Sequence, residues 1–301
     1  MKSGFVALIG RPNSGKSTLL NALIEQKIAI ISPKAQTTRN QIRGIRTDED
    51  SQIIFIDTPG IHKPQHMLGS QMNKQAFTAL AGVDVIYYLV DASVPYGSGE
   101  EFVLNRVKEE NVPVFLILNK VDLLTKDQLM ETLLEWNKRH DFKEIVPISA
   151  KEENNLDELI ATTKLYLEDG VKYYPDDMVC DYPEQFIIAE TIREKVLLLT
   201  EEEVPHSVAV TIEKMGRKKG ALLIHATILV ERDSQKGILI GKQGQMIKKI
   251  GTMAREELQG VFGDRLYLEL FVRVEKNWRN RQAKLMQLGY IQIDEDIDEE
   301  E

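Results

Sequence analysis

The sequence predicts an α/β chain in two parts, a doubly wound and mostly parallel sheet followed by a smaller α+β unit. Three observations carry this. Short apolar runs alternate with helix-patterned stretches over the first 170 residues, a break rich in glycine, proline and acids follows, and beyond it strand and helix signals are grouped differently. The apolar runs lie at 5–9, 52–56, 83–90, 112–118 and 145–148, and the helical patterns at 17–25, 100–110, 127–138 and 155–168. Strands alternating with helices imply right-handed βαβ crossovers. Asn40 to Thr47 adds an edge strand.

The first apolar run leads into Gly10-Arg11-Pro12-Asn13-Ser14-Gly15-Lys16-Ser17, which fills G-x-x-x-x-G-K-[ST], and then Thr18. Glycines there let successive backbone N–H groups turn inward around phosphate oxygens. Lys16 reaches the β/γ-phosphates, Ser17 ligates Mg²⁺, and the helix that follows points its positive end at the anion. The strand at 52–56 runs into Asp57-Thr58-Pro59-Gly60. That aspartate can hold Mg²⁺ through water, and the glycine lets a backbone N–H approach the γ-phosphate. The strand at 112–118 ends at Asn119-Lys120-Val121-Asp122, whose last carboxylate can accept both the N1–H and the exocyclic amine of guanine. Adenine lacks that donor pair, so discrimination of roughly a thousandfold or more is expected. Val146-Pro147-Ile148 leads to Ser149-Ala150-Lys151, whose backbone can contact the guanine oxygen. Four elements in this order, each after an apolar strand, imply a P-loop domain that binds GTP and GDP with Mg²⁺ and hydrolyses GTP.

The hydrolytic step lacks one familiar part. Ras-like GTPases orient the attacking water with a glutamine directly after Asp-x-x-Gly, and here Ile61 stands in that place. An aliphatic side chain cannot align water, so hydrolysis is slow alone or helped from elsewhere.

The 301 residues suffice for two domains. No apolar run approaches the ~20 residues that span a bilayer, and Met1 to Gly4 leads directly into the first strand, so no signal peptide is expected. The single cysteine, Cys180, excludes an internal disulfide and fits a reducing cytoplasm. His62, His66 and His225 lack metal-ligand spacing.

The formal charge of −9 conceals a division. Residues 1–180 carry 20 Lys+Arg against 25 Asp+Glu, residues 181–290 carry 18 against 15, and residues 291–301 carry seven acids and no base. The expected division is a G domain over 1–170, a linker over 171–182, a second, basic domain over 183–290 and an acidic, disordered tail over 291–301.

In the second part, a helix from Pro183 to about Leu199 precedes strand-like runs at 208–212 and 221–230, separated by a basic turn from Lys214 to Gly220. Ile240-Gly241-Lys242-Gln243-Gly244 then places two glycines three apart between an apolar segment and an amphipathic helix. That is the G-x-x-G loop of a KH domain, in which backbone meets RNA sugar-phosphates beside an apolar platform for splayed bases. Lys236, Lys242, Lys248 and Lys249, with no acid between them, favour a phosphate track. Arg265 to Val274 reads as another strand and Arg279 to Leu288 as a closing helix. Trp278 reads as helix packing more than as a base-stacking surface. A P-loop phosphotransferase with a small-acceptor domain is the competing class, but no acceptor or lid motif is present.

With these residues in place, positions 1–290 resemble the Era family of bacterial GTPases, which joins a small G domain to a type II KH domain. Further matching stretches are Gln36-Thr37-Thr38-Arg39, Ile192-Arg193-Glu194-Lys195 and Glu203-Val204-Pro205-His206-Ser207. Ser14 departs from the family's usual small aliphatic residue. The resemblance implies binding of the 3′ end of 16S rRNA, a role in 30S subunit assembly and maturation, and peripheral association of a cytoplasmic monomer with the inner membrane. It assigns the threonine that closes over Mg²⁺ to Thr37 or Thr38, with Thr38 favoured, so that Lys16, Ser17, Thr38, Asp57 and Gly60 form the catalytic set. It also implies that Asn13 binds K⁺ near the β/γ-phosphates, where the cation replaces an arginine finger; the alternative is a turn-forming Asn13. Arg39 reads as a solvated charge.

Overall fold

The computed structural model describes residues 1–218, 220–263 and 265–291. The acidic tail expected over 291–301 therefore lies outside the described residues, apart from Ile291. The chain divides into two compact units: Met1–His62 with Asn73–Ile187, and Lys63–Met72 with the chain from Ile188 onward.

The first unit is built on six strands, β1 (Lys2–Gly10), β2 (Ile42–Thr47), β3 (Ser51–Asp57), β4 (Val85–Asp91), β5 (Val114–Asn119) and β6 (Glu144–Pro147), in the order β2-β3-β1-β4-β5-β6. Only β2 runs antiparallel to its neighbour. The helices are α1 (Lys16–Ile24), α2 (Met67–Thr78), α3 (Ser98–Val107), α4 (Lys126–Asn137) and α5 (Leu156–Lys164). The inner strands are mostly apolar because helices cover both faces of the sheet. Val6, Leu8, Val85 and Tyr87 point to the side of Leu19, Leu23 and Leu159, while Ala7, Ile9, Ile86 and Tyr88 point to that of Val103, Leu104 and Trp136. The sequence order reverses around β1, and Gly10, Asp57, Asp91 and Asn119 end neighbouring strands at one edge. A crevice outside the carboxyl ends at such a reversal is where open α/β sheets bind ligands.

The stretch expected as a linker, 171–182, packs with the first unit. Gln52, fully buried in β3, accepts the N–H groups of Tyr173 (2.7 Å) and Tyr174 (3.0 Å) with Oε1 and donates to Tyr174 O at 2.9 Å. Ile45 N–H donates to Val179 O at 2.9 Å, Gly44 bridges Cys180, and Tyr182 Oη donates to Gln41 O. Composition signalled a break in periodicity, but backbone hydrogen bonding makes the segment a strap along β2. Cys180 lies half-buried in it with its thiol pKa raised by desolvation, which suits a packing role.

The second unit holds α6 (Glu184–Leu199) from Ile188 onward, α7 (Val204–Ser207), β7 (Ala209–Lys218), β8 (Ala221–Val230), α8 (Asp233–Ile240), α9 (Gln245–Phe262), β9 (Arg265–Val274) and α10 (Gln282–Gln287). Its sheet has the order β7-β8-β9, with β7/β8 antiparallel and β8/β9 parallel. Lys214–Lys218, expected as a basic turn, continues β7 in register with β8 after a bulge at Ile212/Lys214. Leu68 and Met72 pack with Ala209, Leu229, Trp278 and Leu285, and Met67 N–H donates to Asn280 Oδ1 at 3.0 Å. Trp278 is fully buried, and its Nε1–H donates to Ser207 O at 2.9 Å, so its indole is a packing element.

Replacing Gln52 by Ala removes the acceptor for two strap amides and should lower the unfolding free energy by about 2 kcal/mol. Urea unfolding measures this; an unchanged midpoint would show that the strap does not depend on Gln52.

Candidate functional site

A cleft of about 500 Å³ opens at the carboxyl edge of the first sheet. Its floor is the loop from Gly10 to Ser17 and its walls include Thr38, Gly60, Lys120 and Lys151. Gly15 has φ +99°, and a Cβ there would run into the Asn119 amide, so only glycine admits this turn. Lys16 is buried and donates from Nζ to Gly10 O (3.1 Å) and Arg11 O (2.9 Å). Burial lowers its pKa to about 8, although the charges of Asp57 and Glu100 pull the other way.

Three oxygens meet beside it. Ser17 Oγ donates to Asp57 Oδ2 at 2.6 Å and lies 2.7 Å from Thr38 Oγ1, which is itself 3.4 Å from Asp57 Oδ2. Thr37 instead donates to Lys34 O at 2.6 Å, so Thr38 is the threonine placed with the other two. Asp57 is fully buried, and its Oδ1 has no hydrogen-bond partner. Two hydroxyls and a carboxylate with an unsatisfied oxygen are a hard-donor set that fits a hydrated Mg²⁺. Burial raises the Asp57 pKa to about 6, against the lowering effects of Lys16, Ser17, Thr38 and the Thr58 N–H.

At the far end, Asn119 Nδ2 donates to Ser14 O at 2.8 Å, while its Oδ1 accepts from Lys120 N–H (2.8 Å) and Ala150 N–H (2.9 Å). Asn119 thus joins three loops. Of the Ser149-Ala150-Lys151 backbone expected at the guanine oxygen, the Ala150 N–H is bonded to Asn119. Ser149 Oγ donates to Asp122 Oδ1 at 2.6 Å and orients an exposed carboxylate. Lys120, with φ +66°, pairs through Nζ with Asp91 at 2.5 Å.

Other placements refine the reading. Asn13 has φ +63° and donates from Nδ2 to Pro33 O at 3.0 Å, so the turn is real and the side chain also reaches the α1–β2 segment. Ile61 is buried in the core cluster with Ile9, Ile56 and Ala76. Arg39, expected as a solvated charge, is 1% exposed. His62 Nδ1 lies 3.0 Å from Gly60 O, and its Nε2 lies 2.8 Å from Gln36 Nε2. With Nδ1 protonated, the ring donates to Gly60 and accepts from Gln36, tying the two loops that flank the cleft. Nothing in the residue pattern signalled that tie, nor the pairing of Asp91 with Lys120.

In the second unit, Gly241 (φ +72°) turns the chain between α8 and α9, and a Cβ there would fall 2.7 Å from Met246 Cβ. Ile240 and Gly244 flank exposed Lys242 and Gln243, and Lys248 and Lys249 are exposed on the first turns of α9. Gly244 caps α9 with open space around it. The outcome is a helix N-terminus and three ammonium groups at an accessible loop, an anion-binding arrangement. No group of metal-ligating His, Cys, Asp or Glu occurs among the described residues.

Residues 5–120 match the family described as 50S ribosome-binding GTPase, and residues 203–279 match the KH domain. A structure of Aquifex aeolicus Era, a point variant bound to GDP·AlF₄⁻, is similar at TM-score 0.94 and 42% identity, covering 97% of this chain and 100% of that one. The chain belongs to the Era family. A second Era structure, in complex with MgGDPNP and nucleotides 1506–1542 of 16S ribosomal RNA, is similar at TM-score 0.95 and 42% identity with the same coverage. Both parts expected from the sequence, a P-loop GTPase domain and a following KH domain, are therefore those of an Era protein.

The charged state of Asp57 can be read from stability. Between about pH 4 and pH 6 the unfolded chain has lost this proton while the metal-free folded chain retains it, so folding becomes less favourable as pH rises through that window. The stability of Asp57→Asn relative to wild type, measured by urea titration in EDTA, should grow across the window and then level off. A difference independent of pH would contradict the raised pKa.

Proposed function

We propose that this Era-family chain hydrolyses GTP in the first unit and grips the 3′ end of 16S rRNA through the loop at Gly241–Gly244, as a switch in 30S subunit assembly. The observation that carries it is the likeness, over 97% of the chain, to an Era solved with both MgGDPNP and that RNA segment. The geometry supports each half. Phosphate oxygens replace the two backbone carbonyls that Lys16 holds, and their charge restores what burial takes from the ammonium. Ser17, Thr38 and Asp57 hold Mg²⁺, which when bound neutralises charge on the β- and γ-phosphates. Gly60 faces the γ-phosphate, and its tie through His62 to Gln36 keeps both flanking loops at the cleft. Asp122, oriented by Ser149, reads guanine, with Lys151 beside it.

With Ile61 turned into the core, charge neutralisation by a monovalent cation at Asn13 is the reading for faster hydrolysis. Replacing Na⁺ by K⁺ should raise the single-turnover hydrolysis rate in wild type and leave Asn13→Ala unaffected. Equal rates in the two salts would remove Asn13 from this role.

On the RNA side, Lys242, Lys248 and Lys249 supply phosphate contacts, and Ile240, Gln243 and the two glycines supply backbone approach. Affinity for a short single-stranded RNA should fall with salt, and each Lys→Ala change should flatten the log–log slope by about 0.7. Gly241→Ala and Gly244→Ala should abolish binding while GDP affinity is retained. Salt-independent binding would exclude the phosphate track. No helix among the described residues is long and apolar enough to cross a membrane, and contact with the inner membrane is proposed as peripheral, in an otherwise cytoplasmic monomer.

A further inference from the structure

One buried carboxylate of the first unit is used by none of the chemistry above. Glu100 lies in the first turn of α3 with its side chain 7% exposed. Tyr88, fully buried in β4, donates its hydroxyl to Glu100 Oε2 at 2.8 Å. Glu100 Oε1 lies 3.7 Å from Arg11 Nη1. Burial raises the Glu100 pKa, against the lowering effects of Tyr88, Arg11 and Lys16, so the ionised form depends on those partners. Asp91, already paired with Lys120, adds repulsion from the end of β4.

Arg11 is the second residue of the phosphate loop, and its two ends do different work. Its guanidinium lies against the first turn of α3: a Cβ at Gly99 would fall 2.7 Å from Nε and 2.9 Å from Cζ. Its carbonyl accepts from Lys16 Nζ at 2.9 Å, and Ser14 N–H points at the same oxygen at 3.4 Å. The side chain is anchored below the loop while the peptide holds the lysine that meets phosphate. A solvent-exposed pair at this distance contributes little, but here one partner is buried and bonded, so releasing Arg11 leaves a desolvated carboxylate behind.

We propose that Glu100 is a positioning residue for nucleotide binding: with Tyr88 behind it, it pins the Arg11 side chain to α3 and so fixes the peptide that sets Lys16. This rests on the phosphate loop being the nucleotide site. Glu100 belongs to none of the four sequence motifs and touches neither phosphate nor base; it acts through Arg11.

The test is the rate of mant-GDP release from the full chain in Mg²⁺, for wild type, Glu100→Gln, Arg11→Met and the double variant. Each single change should speed release by about threefold to tenfold, and the double variant should release no faster than the faster single. The preference for GDP over ADP should persist, because the base end is untouched. Unaltered release from Arg11→Met, or effects that multiply in the double variant, would overturn the inference. Arg11 is 40% exposed, so Arg11→Met remains decisive even if Glu100→Gln does not fold, and an unchanged melting temperature separates positioning from loss of fold. Wild type that fails to retain mant-GDP would instead defeat the assignment of the loop itself.

Discussion

The nucleotide cleft is organised by one buried amide. Asn119 is 2% exposed, and its side chain spends one donor on the phosphate loop and its acceptor on two other backbone groups. The phosphate, base and Ser149–Lys151 loops come from separate strand ends, and each is a chain reversal that could settle in several conformations. A buried polar group left unmatched costs roughly 1–3 kcal/mol, so the loops are held in mutual register by the penalty for leaving any of the three bonds unmade. The parallel sheet supplies coarse placement by aligning the strand ends, and Asn119 supplies the fine placement.

Against that order stands a deliberate strain. Lys16 and Asp57 are both taken out of water, with pKa values moved toward neutrality from both sides. Each lies in the field of the other's charge, and their hydrogen-bond partners are hydroxyls and carbonyls. A phosphate anion beside Lys16 and a divalent cation beside Asp57 would each favour the charged form of its neighbour.

Much of this was legible in the residues. The four nucleotide motifs stood out because each follows a strand buried on both faces, whose unbroken apolar run marks where the motif begins. The glycines at 241 and 244 were readable because an apolar segment and an amphipathic helix frame them. What escaped had physical reasons. Thr37 and Thr38 sit in a segment without periodicity, so only coordinates separate the one bonded to Lys34 from the one beside Ser17. Lys214–Lys218 is an exposed strand end, and its polar residues and Gly216 hide the period of two. Glu100 shares its helix turn with Glu101, and acids there ordinarily read as partners of the helix dipole. Residues 171–182 read as a linker in the sequence because main-chain bonds to β2 leave no trace in side-chain composition.

That strap bears on how the protein is made. An edge strand with free backbone groups is a template on which a second chain can add. β2 emerges early in synthesis, whereas the residues that hydrogen-bond along it, Val179 and Cys180, emerge only after the rest of the first unit. The nascent domain therefore passes through an interval with its flank uncovered, when chaperone protection matters most. Only once the peptide has grown past those positions can Val179 and Cys180 cover that flank.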